Sequence, residues 1–207
     1  MAISQLSENK ILDAGGIDIQ VLGIGRTGHV GFNEPGSSSD SRTRLVHLDS
    51  LTRKDAARDF LGEENVPLYA LTMGVGTILD SSRIFLLAWG QAKASILALA
   101  VEDEPSDSLP ASLLQCHSNI EIVADQTAAS ELTRINRPWL VRHLDWTPTL
   151  IRSAVSWLSI NSGKPILKLL DEDYSENGLA NLLTEHGPAY DLNIQIFNEI
   201  QIIPVVK

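Results

Sequence analysis

The chain has a single cysteine, Cys116, so no disulfide can form within it. Cys116 sits in SLLQCHSN with no second thiol nearby and is expected to pack as a small apolar residue. No apolar run reaches 18 residues, which excludes a long membrane-spanning helix. The opening MAISQLSENK lacks the apolar stretch of a signal peptide, so a cytoplasmic location is the expectation. Histidine is sparse and scattered. His29, His47, His117, His143 and His186 show no metal-ligand spacing, so no metal site is expected. Positive charge is short too: 16 Lys and Arg against 26 Asp and Glu leave a formal charge of −10. That balance argues against nucleic acid and anionic lipid as partners. A local pair such as Arg42 and Arg44 can still make a small positive pocket.

What remains is ordinary globular material. The 207 residues, 43% of them hydrophobic, suit one domain or a domain with an extension. IDIQVLGI (17–24) reads as a short buried strand of a parallel sheet. Residues 25–50 are loop-rich, and Thr52 is a candidate cap for a helix running to about Leu61. VPLYALTMG reads as a strand, GVGTILDS as a turn into a short helix, and RIFLLAW as another buried strand. Gln91 to Val101 reads as a buried helix, Pro110 to His117 as a short one, IEIVAD as a strand and QTAASELTR as a helix. Alternating strands and helices predict an α/β fold with a parallel sheet.

The rhythm changes at Arg137, so residues 11–136 and 137–207 are taken as two segments. Thr147-Pro148 is a helix start, and Leu150, Ile151, Ala154, Val155 and Leu158 mark one face. KPILKLL reads as a strand, which would make the extension α/β as well. GLANLLTEHGP reads as a helix stopped by Gly187 and Pro188. DLNIQIFNEIQIIP fits either strand or helix.

The most informative stretch is GIGRTGHVGFNEPGSSSDSRTR, Gly23 to Arg44. It holds five glycines, a histidine, a glutamate and three arginines. Gly23, Gly25 and Gly28 fit G-x-G-x-x-G, but a dinucleotide site needs that loop to open a helix. Pro35 and two further glycines argue against one. A second reading uses the glycines to bring backbone close to a ligand. His29 then supplies an imidazole, a side chain suited to passing protons, and Glu34 can orient it. Arg42 and Arg44 are candidates for holding a phosphate or closing the loop. The plainer possibility, a packed loop histidine with solvated arginines, stays open on spacing alone.

The stretch resembles the glucosamine-6-phosphate deaminase (isomerase) family, whose loop has the form GIGxDGHIGFNEPxSSxxSRTR. The resemblance continues through VPLYALTMGVGTILDSSRIFLLAWGQAKA and LPASLLQCHSNIEIVADQTAASEL, over about residues 11 to 135. It implies a modified Rossmann-like parallel sheet. It also implies conversion of glucosamine 6-phosphate and water to fructose 6-phosphate and ammonia without a cofactor. His29 matches the histidine that handles the ring-oxygen proton and Glu34 its paired glutamate. Arg58 and Lys93 match phosphate-binding residues, and Lys93 opens a helix after a strand, where an anion is welcome.

Three departures accompany the resemblance. Thr27 stands where the family has an aspartate. The family's C2 base and first phosphate loop lie upstream of the histidine loop, so this chain alone is expected to show negligible deaminase activity. Ser37 and Arg44 match parts of an allosteric sugar-phosphate site, but Val46 stands where its lysine is expected. Residues 137–207 look like the extension of longer proteins that join a deaminase-like domain to a de-N-acetylase-like one. A 6-phosphogluconolactonase is the alternative enzyme, and a non-catalytic sugar-phosphate-binding protein the alternative of another kind. Uncovered sheet edges would favour a homo-oligomer.

Overall fold

The computed structural model describes residues 3–202, which form two compact units divided between Leu132 and Thr133. In the first unit, α1 (Ile3–Asp13) precedes β1 (Gln20–Gly23). β2 (Arg44–His47), α2 (Ser50–Ala56), β3 (Tyr69–Thr72) and α3 (Val75–Leu79) come next along the chain. β4 (Ile84–Ala88), α4 (Ala94–Glu102) and β5 (Ile120–Ala124) complete it.

β1, β4 and β5 form a parallel sheet in the order β1-β4-β5, with Leu22 opposite Leu86 and Leu86 opposite Ile122. This is the expected α/β architecture. Its core lies on one face, where Leu22, Ile84, Leu86 and Ala88 meet Leu97 and Ala100 of α4 and Leu114 of a 3-10 turn. The strands were expected to be buried on both faces. Instead Val21 and Val123 point outward and stay exposed, because the helices of this unit cover the opposite face.

A second correction concerns residues 44–47. The arginine-rich end of the long loop is strand β2, paired antiparallel with β3 so that Arg44 faces Thr72 and His47 faces Tyr69. The predicted helix over QTAASELTR is a run of turns, with α5 (Thr133–Asn136) only at its end. The Asp125 carboxylate accepts from the amides of Ala128 and Gly90, at 2.8 and 3.1 Å, and ties the chain into a turn where a helix would begin. Cys116 is exposed, not packed, because the 3-10 turn Pro110–Cys116 buries its earlier residues and ends at the surface.

Among its described residues the second unit holds helices and turns but no strand, so the predicted α/β extension is overturned. After α5 come α6 (Pro148–Ser162), α7 (Asp171–Glu176), α8 (Ala180–His186) and α9 (Ala189–Ile202). KPILKLL is not a strand: Ile166–Lys168 is one 3-10 turn after Pro165, and Leu169 alone is deeply buried. A lone strand has no ladder partner there, and its amides would go unpaired. Within the described residues the ambiguous terminal stretch is α9, which buries Ala189, Leu192 and Ile196 at helical spacing; positions 203 and 204 of that stretch lie outside the described residues. α6 starts as expected, with Thr147 Oγ1 accepting from the Leu150 amide, and ends at Gly163 with φ 67°. Ile151, Ala154, Val155 and Leu158 of α6 pack with Trp139, Tyr174, Leu182 and Ile196. Burial pushes the Tyr174 phenol up, and the group stays a neutral donor, bonded to Asn193 Oδ1 at 2.8 Å.

Candidate active site

The site begins where β1 ends. Gly25 and His29 close a tight turn through a 2.9 Å bond from the Gly25 amide to the His29 carbonyl. Gly28 sits inside it at φ 77°, a backbone state that favours glycine, and a Cβ there would also strike Leu109. The turn lifts His29 into a half-buried position beside Glu34, each side chain 15% exposed. His29 Nδ1 lies 3.2 Å from Glu34 Oε2 and 2.9 Å from Thr27 Oγ1. Thr27 Oγ1 in turn donates to Glu34 Oε2 at 3.1 Å. Thr52 Oγ1 donates to the other carboxylate oxygen, Oε1 of Glu34.

Counting protons assigns the imidazole. Each hydroxyl owns one hydrogen, and both go to the carboxylate. Thr27 and Glu34 can then only accept from Nδ1, which points to a proton on Nδ1; in the neutral tautomer that leaves Nε2 bare. Nε2 lies against the Gly25 backbone, and His29 lines a cavity of about 440 Å³. The arrangement is a proton-exchanging nitrogen backed by a carboxylate, the layout general acid–base catalysis requires.

Lys93 lines the same cavity, delivered by the 3-10 turn Gln91–Lys93 between β4 and α4. Burial pushes its ammonium below the ordinary lysine value. Asp55 pulls back the other way, and Arg26 adds to the depression. Asp55 also lines the cavity and is ion-paired with Arg26, whose hydrogen bond holds the Asp55 carboxyl below its usual range. Lys93 is the cation that lines the cavity, and Arg26 is engaged by Asp55. Arg58 is not brought to this cavity. It lies exposed just past α2, because that helix ends at Ala56 and not near Leu61.

Arg44 is spent largely within the protein. It donates to Asn33 Oδ1 at 2.8 Å and to Ser37 Oγ at 2.9 Å, and so staples the FNEP loop to β2. Asn33 is fully buried and donates to the Val30 and Met73 carbonyls. Ser37 and Arg44 line a separate cavity of about 410 Å³. Arg42 does not join them: it pairs with Asp80 on the surface and lines a different hollow with Glu8.

Three site residues were missed by sequence reasoning: Thr52, Asp55 and Arg26. Thr52, Asp55 and Ala56 all line the cavity from α2, and their helical spacing was the available signal. Thr52 does not cap that helix, as expected of it; Asp49 does, accepting from the Leu51 amide at 2.7 Å. A larger hollow of about 660 Å³ in the helical unit, lined by Leu167, Leu170 and Tyr190 among others, holds no histidine or lysine. Among the described residues no group of His, Cys, Asp and Glu could hold a metal ion, and no helix is long and apolar enough to cross a membrane.

No family model matches the chain. A glucosamine-6-phosphate deaminase-like protein of Bacteroides thetaiotaomicron is 51% identical over 95% of this chain and 30% of its own length. The glucosamine-6-phosphate deaminase of Shouchella clausii is 50% identical over 61% of the chain and 51% of that protein. A solved monomeric glucosamine-6-phosphate deaminase superposes with a TM-score of 0.61 at 46% identity, over 62% of this chain and 53% of that one. The chain is homologous to part of the glucosamine-6-phosphate deaminases. It spans about half the length of the deaminases it matches, and the helical unit is shared with the longer Bacteroides protein.

Proposed function

We propose that this chain carries the ring-opening and phosphate-holding part of an amino-sugar phosphate deaminase/isomerase, which in the whole enzyme turns glucosamine 6-phosphate and water into fructose 6-phosphate and ammonia. The observation that carries the reading is one cavity shared by His29, backed by Glu34, and by Lys93. When the pyranose opens, the bond from C1 to the ring oxygen breaks. The ring oxygen takes a proton and the C1 hydroxyl releases one as the aldehyde forms. The imidazole, with Nδ1 anchored and the residue lining the cavity, is suited to trade those protons, and Lys93 supplies charge for the phosphate.

The chemistry asks only for proton transfer, so the reading needs no cofactor. A phosphorylated sugar stays in the compartment where it is made, which supports a cytoplasmic role. The outward Val21 and Val123 support self-association of the chain, which sedimentation would read.

Calorimetric titration tests the proposal. Glucosamine 6-phosphate is expected to bind with Kd of about 1 mM or tighter, and 6-phosphogluconate more weakly. Absence of heat at about 10 mM ligand, or stronger binding of 6-phosphogluconate, would contradict it.

A further inference from the structure

We infer that Thr52 is a positioning residue for the proton-transfer pair: it holds Glu34 in place, and through Glu34 fixes the tautomer of His29. The inference rests on the proposed deaminase function for its meaning, but its geometry stands alone. Thr52 is buried and lies in the first turn of α2, 18 residues from the carboxylate it serves. A threonine at that place in a helix can turn its hydroxyl back on its own backbone. This one points out of the helix and donates to Glu34 Oε1. Its oxygen also lies 3.5 Å from His29 Nδ1.

The effect comes from which oxygen each donor takes. Glu34 Oε2 already faces Thr27 and His29 on one side. With Oε1 unheld, the carboxylate could rotate about its last torsion, a soft and broad one. It would then exchange the oxygen that anchors Nδ1. Thr52 pins the far oxygen, so Oε2 stays on His29 and the proton stays on Nδ1. α2 thus does two jobs from one face: Asp55 pairs with Arg26 and lines the cavity with Lys93, and Thr52 sets the orientation of the acid–base pair.

The test is histidine-selective 15N NMR on the whole chain, with His29 assigned by its loss in His29→Gln. In the unsubstituted chain the two ring nitrogens of neutral His29 should be well separated, Nδ1 protonated and Nε2 bare. Thr52→Val keeps the shape and removes the hydroxyl; the two shifts should move toward each other. Thr52→Ser should restore the separation. In parallel, acceleration of α/β anomer exchange of glucosamine 6-phosphate should fall about tenfold in Thr52→Val, with Kd changed less than about twofold. Nitrogen shifts unmoved by Thr52→Val would overturn the inference. Should that variant not fold, the Thr52 hydroxyl proton of the unsubstituted chain decides. A resolved, slowly exchanging signal is expected, and one merged with water overturns the inference. If the unsubstituted chain neither binds nor interconverts the sugar, the functional reading fails while the nitrogen pattern still judges Thr52.

Discussion

A Cβ placed on Gly25 would lie 2.2 Å from Nε2 of His29. The imidazole edge and the loop backbone are in closest contact there. Gly25 is therefore a glycine for the sake of the histidine, not of the turn, since its φ is not in the left-handed region. Gly25→Ala is expected to tilt the ring off Thr27 and Glu34. Urea unfolding should register a loss under about 1.5 kcal/mol, as for modest overpacking. Anomer-exchange acceleration should fall about a hundredfold, because small displacements of a catalytic group are costly. Equal losses in stability and rate would argue that the contact is only structural.

Thr27 joins both members of the pair, so removing its hydroxyl breaks two bonds at once. Thr27→Val should destabilise the chain by about 1–2 kcal/mol in urea titration, and Thr27→Ser by less than about 0.5 kcal/mol. A valine variant as stable as the serine one would show that the two hydrogen bonds carry no net weight.

Lys93 places function against stability. Its ammonium is held low by burial, which Asp55 partly offsets and Arg26 reinforces. The folded chain thus binds that proton less tightly than the unfolded chain does. The protonated group costs stability below its lowered value, and the cost fades as pH rises through that value toward 10.5. Lys93→Met should raise the melting temperature at pH 7 by about 2 °C. The same change should weaken glucosamine 6-phosphate binding by about tenfold or more in calorimetry. A variant that melts lower and binds equally well would remove Lys93 from the site.

Glu8 anchors α1 to the sheet-bearing unit and should set part of its acid sensitivity. Burial alone would push its carboxyl up. The hydroxyls of Thr43 and Thr77, the Thr43 amide at 2.8 Å and the charge of Arg42 outweigh burial and hold it below 4.5. A depressed carboxyl stabilises the fold above its unfolded value and loses that contribution as pH falls through the lowered one. The gap in unfolding free energy between the chain and Glu8→Gln should be widest near pH 7 and shrink below about pH 4.5. Urea titrations at pH 7 and pH 3 check this, and a gap that does not change with pH contradicts it.

How much could be read from the residues varies with the range of the interaction. The strands of the parallel sheet were legible because short apolar runs between glycines leave few alternatives; His29 and Lys93 line one cavity, and Glu34 Oε2 lies 3.2 Å from His29 Nδ1. β2 was hidden because Arg44 and His47 look like loop residues until β3 supplies a partner. KPILKLL failed for the opposite reason: an apolar run needs a neighbouring strand to become one, and the helical unit offers none among its described residues. Arg58 was named from the resemblance alone; it lies exposed past α2 and does not line this cavity. Thr52 was read as a local cap because helical spacing alone does not name Glu34, a partner 18 residues away.

Exchange NMR of glucosamine 6-phosphate anomers probes the central claim most directly, because opening and closing the ring needs only the proton traffic assigned to His29. The unsubstituted chain should speed interconversion of the α and β forms well above the buffer rate, and His29→Gln and Glu34→Gln should each abolish most of that gain. Interconversion at the buffer rate in the unsubstituted chain, or an undiminished rate in His29→Gln, would contradict the account.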